Sequence, residues 1–298
     1  MAQSYEMNLV SLVEQFNSED KCREYLEQLR WPDGVTCPRC NEETTVSRIR
    51  ERNQYECDAC RYQFSVTSGT IMHDTHLPLW KWFLAVYMMV ESKKGVSANQ
   101  LKRTLKVAYK TAWFLCHRIR KALETPDGLL SGIIEIDETW IGGKRKDVGH
   151  GYKGNKALVI GAAQRGGNVQ IKKGKTRSRK DLHKFVGDNV SGEAEAIYTD
   201  DWPAYGNLGD GNTKHETVNH SADEWVRGDV HTNTIEGAWA LFKRSLVGSY
   251  HKVSKKHLAA YLDEFEFRYN NRKNRYIFRD AMREIVGAGN MEYRELTA

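Results

Sequence analysis

"GIIEIDETWIG", Gly132 to Gly142, decides the fold. Three isoleucines, a tryptophan and a fourth isoleucine make an apolar strand, and carboxylates interrupt it at Glu135, Asp137 and Glu138. Downstream, "KALVIGAAQ" (Lys156 to Gln164) and "NVQIKKG" (Asn168 to Gly174) read as two further strands joined by the turn "RGG". "SRKDLHKFVGDNV" (Ser178 to Val190) is helical, "EAIYTD" (Glu195 to Asp200) is a fourth strand and "KHETVN" (Lys214 to Asn219) a fifth. Two helices close the series, one from Asn233 and one from Ser254 that carries Leu258, Tyr261, Leu262 and Phe265 at helical spacing. Three strands, a helix, two strands and then helices is the order of an RNase-H-like α/β domain.

The acids raise the question of chemistry. Asp137 lies near the end of the first strand and Asp200 at the end of the fourth. Either alone reads as a helix cap or turn former. Together, if the two strands pair, they could share divalent ions, for which Asp and Glu supply the required hard oxygen ligands. Two such ions about 3.5–4 Å apart clamp the attacking and leaving oxygens of a phosphoryl displacement. A third carboxylate is available in "HTNTIEGAWALFKR" (His231 to Arg244). There Asn233 could cap the helix and Glu236 could complete a capping box, or Glu236 could be the third ligand. Lys243, two turns further on the same face, could hold a phosphate as a point charge. Asp201 follows Asp200 directly, so on a strand it would point to the other face, where it would cap the turn at "WPAY". Glu135 and Glu138 are expected to point away from the site.

Upstream the chain changes character. "CPRC" (Cys37, Cys40) and "CDAC" (Cys57, Cys60) are separated by 16 residues, a zinc-site spacing in which four thiolates leave the metal no open position. "TTVSRIRERNQYEC" between them alternates like a short hairpin. Cys22 and Cys116 fit reduced, buried thiols. Residues up to about Leu29 are helical, with Ser18 as a cap, and "LPLWKWFLAVYMMV" (Leu77 to Val90), at 14 residues, is too short to span a bilayer and reads as a buried helix. From Gly95 to Leu123 a short helix capped by Ser97 and a second helix with Ala112, Leu115, Cys116, Ile119 and Leu123 on one stripe have the shape of a helix-turn-helix. Lys110, Thr111, Arg118 and Lys121 lie off that stripe.

Composition agrees with a globular chain of about two domains. The 298 residues carry a net charge of +6, with basic runs such as "KKGKTRSRK" (Lys172 to Lys180) and "GGKRK" (Gly142 to Lys146) gathered in the second half, which points to a phosphate backbone. "MAQSYEMNLVSLVEQF" has acid residues where a leader would be basic or apolar, so a cytoplasmic, nucleoid-associated protein is expected. Arg268, Asn270 and Arg272 in the last helix could touch DNA.

In sequence, "LEQLRWPDGVTCPRC", "FSVTSGTIMHDTHLPLWKW", "EIDETWIGGK", "YTDDWPAY", "HTNTIEGAWALFKR" and "YLDEFEFRYNNR" resemble, nearly end to end, the zinc-ribbon DDE transposases of insertion-sequence family 1595. The resemblance implies an RNase-H-like core with Asp137, Asp200 and Glu236 as a triad holding two Mg²⁺ (or Mn²⁺) ions, and Lys243 beside them. It also implies one structural Zn²⁺ on the four cysteines, and double-stranded DNA, both element ends and target, as partner. Thirty-five residues separate Asp200 from Glu236, and some relatives carry Asn at that third position. The chain divides on this reading into an N-terminal helical segment (1–36), a zinc ribbon (37–70), a helix-turn-helix-like region (76–125), the catalytic domain (131–285) and a tail (286–298). The expected chemistry is hydrolysis at the element end to free a 3′-hydroxyl, which then attacks target DNA, in an assembly that is at least a dimer. A non-catalytic DNA-binding regulator with a decayed core, or an RNase-H-type nuclease without strand transfer, are the competing readings.

Overall fold

The computed structural model describes residues 6–124, 128–143, 156–209 and 213–298. The turn expected at Thr125 to Gly128 and the basic residues Lys144 to Lys146 therefore fall wholly or mostly outside the described residues. The chain forms two compact units, residues 1–125 with 273–298, and residues 126–272.

In the first unit, α1 (Leu9–Gln15) and α2 (Glu19–Arg30) are capped by the side chains of Asn8 and Ser18. A three-stranded antiparallel sheet follows, β1 (Val46–Ile49), β2 (Gln54–Cys57) and β3 (Gln63–Phe64), in that order. Then come α3 (Leu79–Glu91), α4 (Ala98–Leu105) and α5 (Tyr109–Ala122). Pro78 leaves the start of α3 without a side-chain cap of its own. Glu19 of α2 serves instead, accepting from the N–H groups of Leu79 (2.9 Å) and Trp80 (3.4 Å). Ser97 caps α4 as its position suggested, and α4 and α5 pack as a hairpin. Arg118, expected on the outer face of α5, is buried: it donates to the His73 carbonyl at 2.7 Å and lies over the Trp82 ring. Lys110 sits over the Tyr293 ring.

The second unit is a five-stranded sheet: β4 (Ile133–Ile141), β5 (Ala157–Gln164), β6 (Val169–Lys173), β7 (Ala196–Asp200) and β8 (Lys214–Val218), in the order β6-β5-β4-β7-β8. β4, β5 and β6 form an antiparallel meander, and β7 and β8 run parallel to β4. This is the expected RNase-H-like α/β core. Both faces are covered, which explains why β5 is buried from Ala157 to Ala163. On one face Ile134, Ile136, Leu158, Ile160 and Ala162 meet Leu182 and Phe185 of α6 (Arg179–Asn189). On the other, Val159, Ala163, Val169 and Ile171 meet Ile235, Trp239 and Phe242 of α7 (Asn233–Ser245) and Leu262 and Phe265 of α8 (Leu258–Asn270).

α8 starts four residues later than the Ser254 expected for it, and several polar residues of "YLDEFEFRYNNR" bond within the fold. Along the outer edge of β6, Glu266 accepts from the Ile171 N–H (2.6 Å), while Asn270 accepts from the Val169 N–H (2.8 Å) and donates to its carbonyl (3.0 Å). Unpaired strand edges template wrong pairing, and α8 occupies this one. Arg268 is buried against Glu264, and Arg272 donates to the carbonyls of Tyr269 and Gly167. Of the three candidates for DNA contact, Arg268 and Asn270 are thus engaged within the fold, while Arg272, just past the end of α8, stays exposed beside its two carbonyl acceptors.

α9 (Ile277–Gly287) belongs to the first unit, where it packs on α2, α3 and α5, and α10 (Tyr293–Thr297) follows it. The compact unit that holds the sheet therefore ends at Arg272, not at residue 285. Among the described residues no helix is long and apolar enough to cross a membrane.

Candidate active site and metal centre

The parallel pairing of β4 and β7 brings the two aspartates together. The last paired position is Glu135 with Tyr198, so two residues further along the same register Asp137 stands beside Asp200. Both aspartates lie on the face that receives α7, because residues two apart on a strand share a face. The carboxyl of Asp137 accepts from the indole N–H of Trp239 at 3.0 Å. That contact depends on a glycine: Gly161 pairs with Asp137 on β5, and a Cβ there would come within 2.6 Å of the Trp239 ring.

The electrostatics are those of crowded anions. Burial, and then the neighbouring charge of Glu138 and that of Asp200, push the Asp137 carboxyl up from 3.8 to about 7. Burial and Glu138 also raise Asp200. Glu138 points to the opposite face, as expected, where it accepts a hydrogen bond from Tyr205 and pairs with Arg177, whose guanidinium lies over the Trp202 ring. Its charge nevertheless reaches both aspartates. Asp200 rather than Asp201 caps the following turn, accepting from the Trp202 N–H at 3.2 Å.

Glu135 departs furthest from expectation. Instead of pointing away, it shares the Asp137 face and is wholly enclosed at the start of α7. Its carboxylate accepts from the N–H groups of Thr234 (2.6 Å) and Ile235 (3.2 Å), from the Thr234 hydroxyl (2.9 Å) and from Arg165 Nε (2.7 Å). Asn233 is accordingly the first helical residue and not the cap, and Thr232 in the cap position bonds no backbone N–H of the helix with its side chain. The period-2 alternation already placed Glu135 and Asp137 on one face. What the helix start would need from that face was the signal missed.

Glu236 forms no capping box. Its carboxylate accepts from the Thr232 hydroxyl at 2.8 Å, stands 3.8 Å from His220 Nε2, and is 45% exposed. Lys243 is exposed on the same helix, two turns on. Among the described residues the three carboxylates are not gathered closely enough to hold an ion as they stand.

The four cysteines are so gathered: their sulfurs all lie within 4.8 Å of one another. Cys37 and Cys60 are 3.7 Å apart, and Cys40 and Cys57 3.6 Å. Four sulfurs at the usual Zn–S length of about 2.3 Å have tetrahedral edges of about 3.8 Å, so the cluster fits that ion. The two knuckles repeat one another. Asn41 and Arg61, each following a second cysteine, take left-handed φ values of 59° and 57° and donate to the carbonyls of Cys37 and Cys57.

Family models cover the sheet-bearing region and the cysteine region separately. Residues 129–270 match the ISXO2-like transposase domain, and residues 17–63 match the transposase zinc-ribbon domain. A protein of the transposable element ISH50 in Halobacterium salinarum is 32% identical over 92% of this chain and 96% of its own length. The chain belongs to the zinc-ribbon transposases of insertion-sequence family 1595. Among solved structures, a pre-cleavage Mos1 transpososome matches 69% of the chain and 75% of its own at 13% identity and a TM-score of 0.29. A simian T-cell lymphotropic virus intasome, bound to the PP2A regulatory subunit B56 gamma, matches 57% at 15% identity and a TM-score of 0.30. The chain spans 63% of the matched chain in that intasome. Likenesses this remote carry no functional weight, and the transposase assignment rests on the family match.

Proposed function

We propose that the protein is an active DNA transposase that cuts and joins strands at Asp137, Asp200 and Glu236. The observation that carries this reading is the pair of aspartates held side by side on one sheet face, with the Asp137 carboxyl pushed up to about 7 by burial and by the charges of Glu138 and Asp200. Such anion crowding disfavours the metal-free state, and all the donors are the hard oxygens that Mg²⁺ or Mn²⁺ takes. Asp137 and Asp200 would hold the ions. Glu236 would join them by exchanging the Thr232 hydroxyl for the metal. When bound, the ions supply charge neutralisation at the phosphoryl group and lower the pKa of the attacking oxygen. Trp239 keeps the Asp137 carboxylate oriented, and Lys243 offers a point charge to a DNA phosphate.

The zinc ribbon, closed by Cys37, Cys40, Cys57 and Cys60, would be structural. With the α4–α5 hairpin it would bind the terminal inverted repeats of the element. Two ends must meet for transposition, so the DNA-bound form would be at least a dimer. The test is incubation of the purified protein with Mg²⁺ and DNA bearing the element ends, comparing wild type with Asp137→Ala and Glu236→Gln. Cleavage is expected only from wild type. Cleavage that survives both substitutions would remove the triad, and wild-type binding without any cleavage would favour the regulator with a decayed core.

A further inference from the structure

Glu135 is a fully buried carboxylate (0% exposed) that the chemistry above does not use. Besides Thr234, Ile235 and Arg165, His231 Nδ1 stands 3.1 Å from its Oε1. Arg165 in turn approaches His231 Nδ1 at 3.0 Å, donates to the His231 carbonyl at 3.2 Å, and lies over the Tyr198 ring of β7. One carboxylate thus gathers β4, the end of β5, β7 and the entry to α7. The first N–H groups of a helix have no intrahelical acceptors and carry partial positive charge. In α7, where the cap residue supplies no side-chain acceptor, two of them end on Glu135.

α7 meets β4 through polar side chains at a second point, where Trp239 donates to Asp137. Glu135 and Asp137 are two strand residues apart, about 7 Å. Residues 234–235 and 239 are separated by about the same distance along a helix that rises 1.5 Å per residue. The two attachments match in length, and Glu236 falls between them. We propose that Glu135 is a positioning residue: it fixes the register of α7 on β4 and thereby where Glu236 stands relative to Asp137. This rests on the reading of Asp137 and Glu236 as metal ligands.

The test compares full-length wild type with Glu135→Gln, Glu135→Asp and the milder Thr234→Val, which removes one of the contacts. Three readouts are taken: amide exchange in α7 and α8, Mn²⁺ binding by electron paramagnetic resonance, and kcat and KM for cleavage of end-bearing DNA. Glu135→Gln should speed exchange at residues 233–238 while sparing α8. It should weaken Mn²⁺ binding and lower kcat by about 10- to 100-fold, the usual cost of disturbing a group that orients a metal ligand, with KM for DNA within about twofold. Glu135→Asp should fall between it and wild type. If Glu135→Gln does not fold, Thr234→Val should show the same pattern at smaller size. Unchanged exchange in α7 would overturn the clamp. Faster exchange with unaltered kcat and Mn²⁺ binding would overturn the positioning role. Wild type that neither binds Mn²⁺ nor cuts DNA would instead remove the metal-site reading, and the positioning of Glu236 with it, while amide exchange still decides whether Glu135 holds the helix.

Discussion

Asp137→Asn separates the electrostatic cost of the site from its packing. The asparagine side chain has nearly the same shape and keeps an oxygen that can accept from the Trp239 indole, the contact present at 3.0 Å. What it removes is a charge in a place that opposes charge. The folded-state carboxyl is raised from 3.8 to about 7, so the folded protein holds this proton more tightly than the unfolded chain does. The resulting destabilisation is absent below about pH 4, grows as pH rises, and is complete above about pH 7. At about 1.36 kcal/mol per tenfold change in proton affinity, its ceiling is about 4 kcal/mol. Glu138 and Asp200 share the crowding, so a value of half that is reasonable. Metal-free Asp137→Asn should therefore nearly match wild type at about pH 3.5 and melt roughly 4–8 °C higher at pH 8. Mg²⁺ should close the gap by stabilising wild type alone. Thermal melts at the two pH values, with and without Mg²⁺, measure this directly. Equal gaps at both pH values, or a less stable variant at pH 8, would refute the account of why Asp137 is raised.

Further outcomes follow from packing. Gly161→Ala places a methyl 2.6 Å from the Trp239 ring, and should cost about 1–3 kcal/mol in chemical unfolding and lower cleavage by displacing the indole from Asp137. Arg268→Ala removes the guanidinium 3.3 Å from Glu264, whose side chain is fully buried; unfolding titrations should show a loss of about 3–5 kcal/mol, while the salt dependence of DNA affinity stays as in wild type. Chelation of zinc, followed by metal analysis and amide exchange, should release about one ion per chain and open β1–β3, leaving β4–β8 protected.

Much of the fold was legible because its signals are local. The five strands of the core, α6 and both CxxC knuckles stand where alternation and spacing placed them. The buried sheet also appears as a continuous apolar run in β5. Less legible were the side chains whose partners lie far along the chain. Arg268, Asn270 and Arg272 look like a basic, DNA-facing cluster because nothing nearby in sequence shows that α8 covers the edge of β6. Arg118 looks solvent-facing on a helical wheel, yet His73 supplies its acceptor from 45 residues away. A polar residue in a helix carries no local mark of whether it meets water, phosphate or a buried carbonyl.

The start of α7 shows how that limitation bears on function. Asn233 and Glu236 have the spacing of a capping box, and the orphan N–H groups of a helix start do need acceptors. Those of Thr234 and Ile235 find theirs in Glu135, about a hundred residues earlier in the chain. A carboxylate bent back to cap the helix could not also face Asp137, so the two roles compete for one side chain. With Glu135 in the first role, Glu236 is half-exposed, accepting from the Thr232 hydroxyl and standing 3.8 Å from His220, and on the proposed reading a divalent cation would displace that hydroxyl. On the proposed reading β4 would contribute to the site twice: through Asp137, and through the carboxylate two residues before it that accepts from the start of α7 in place of Glu236.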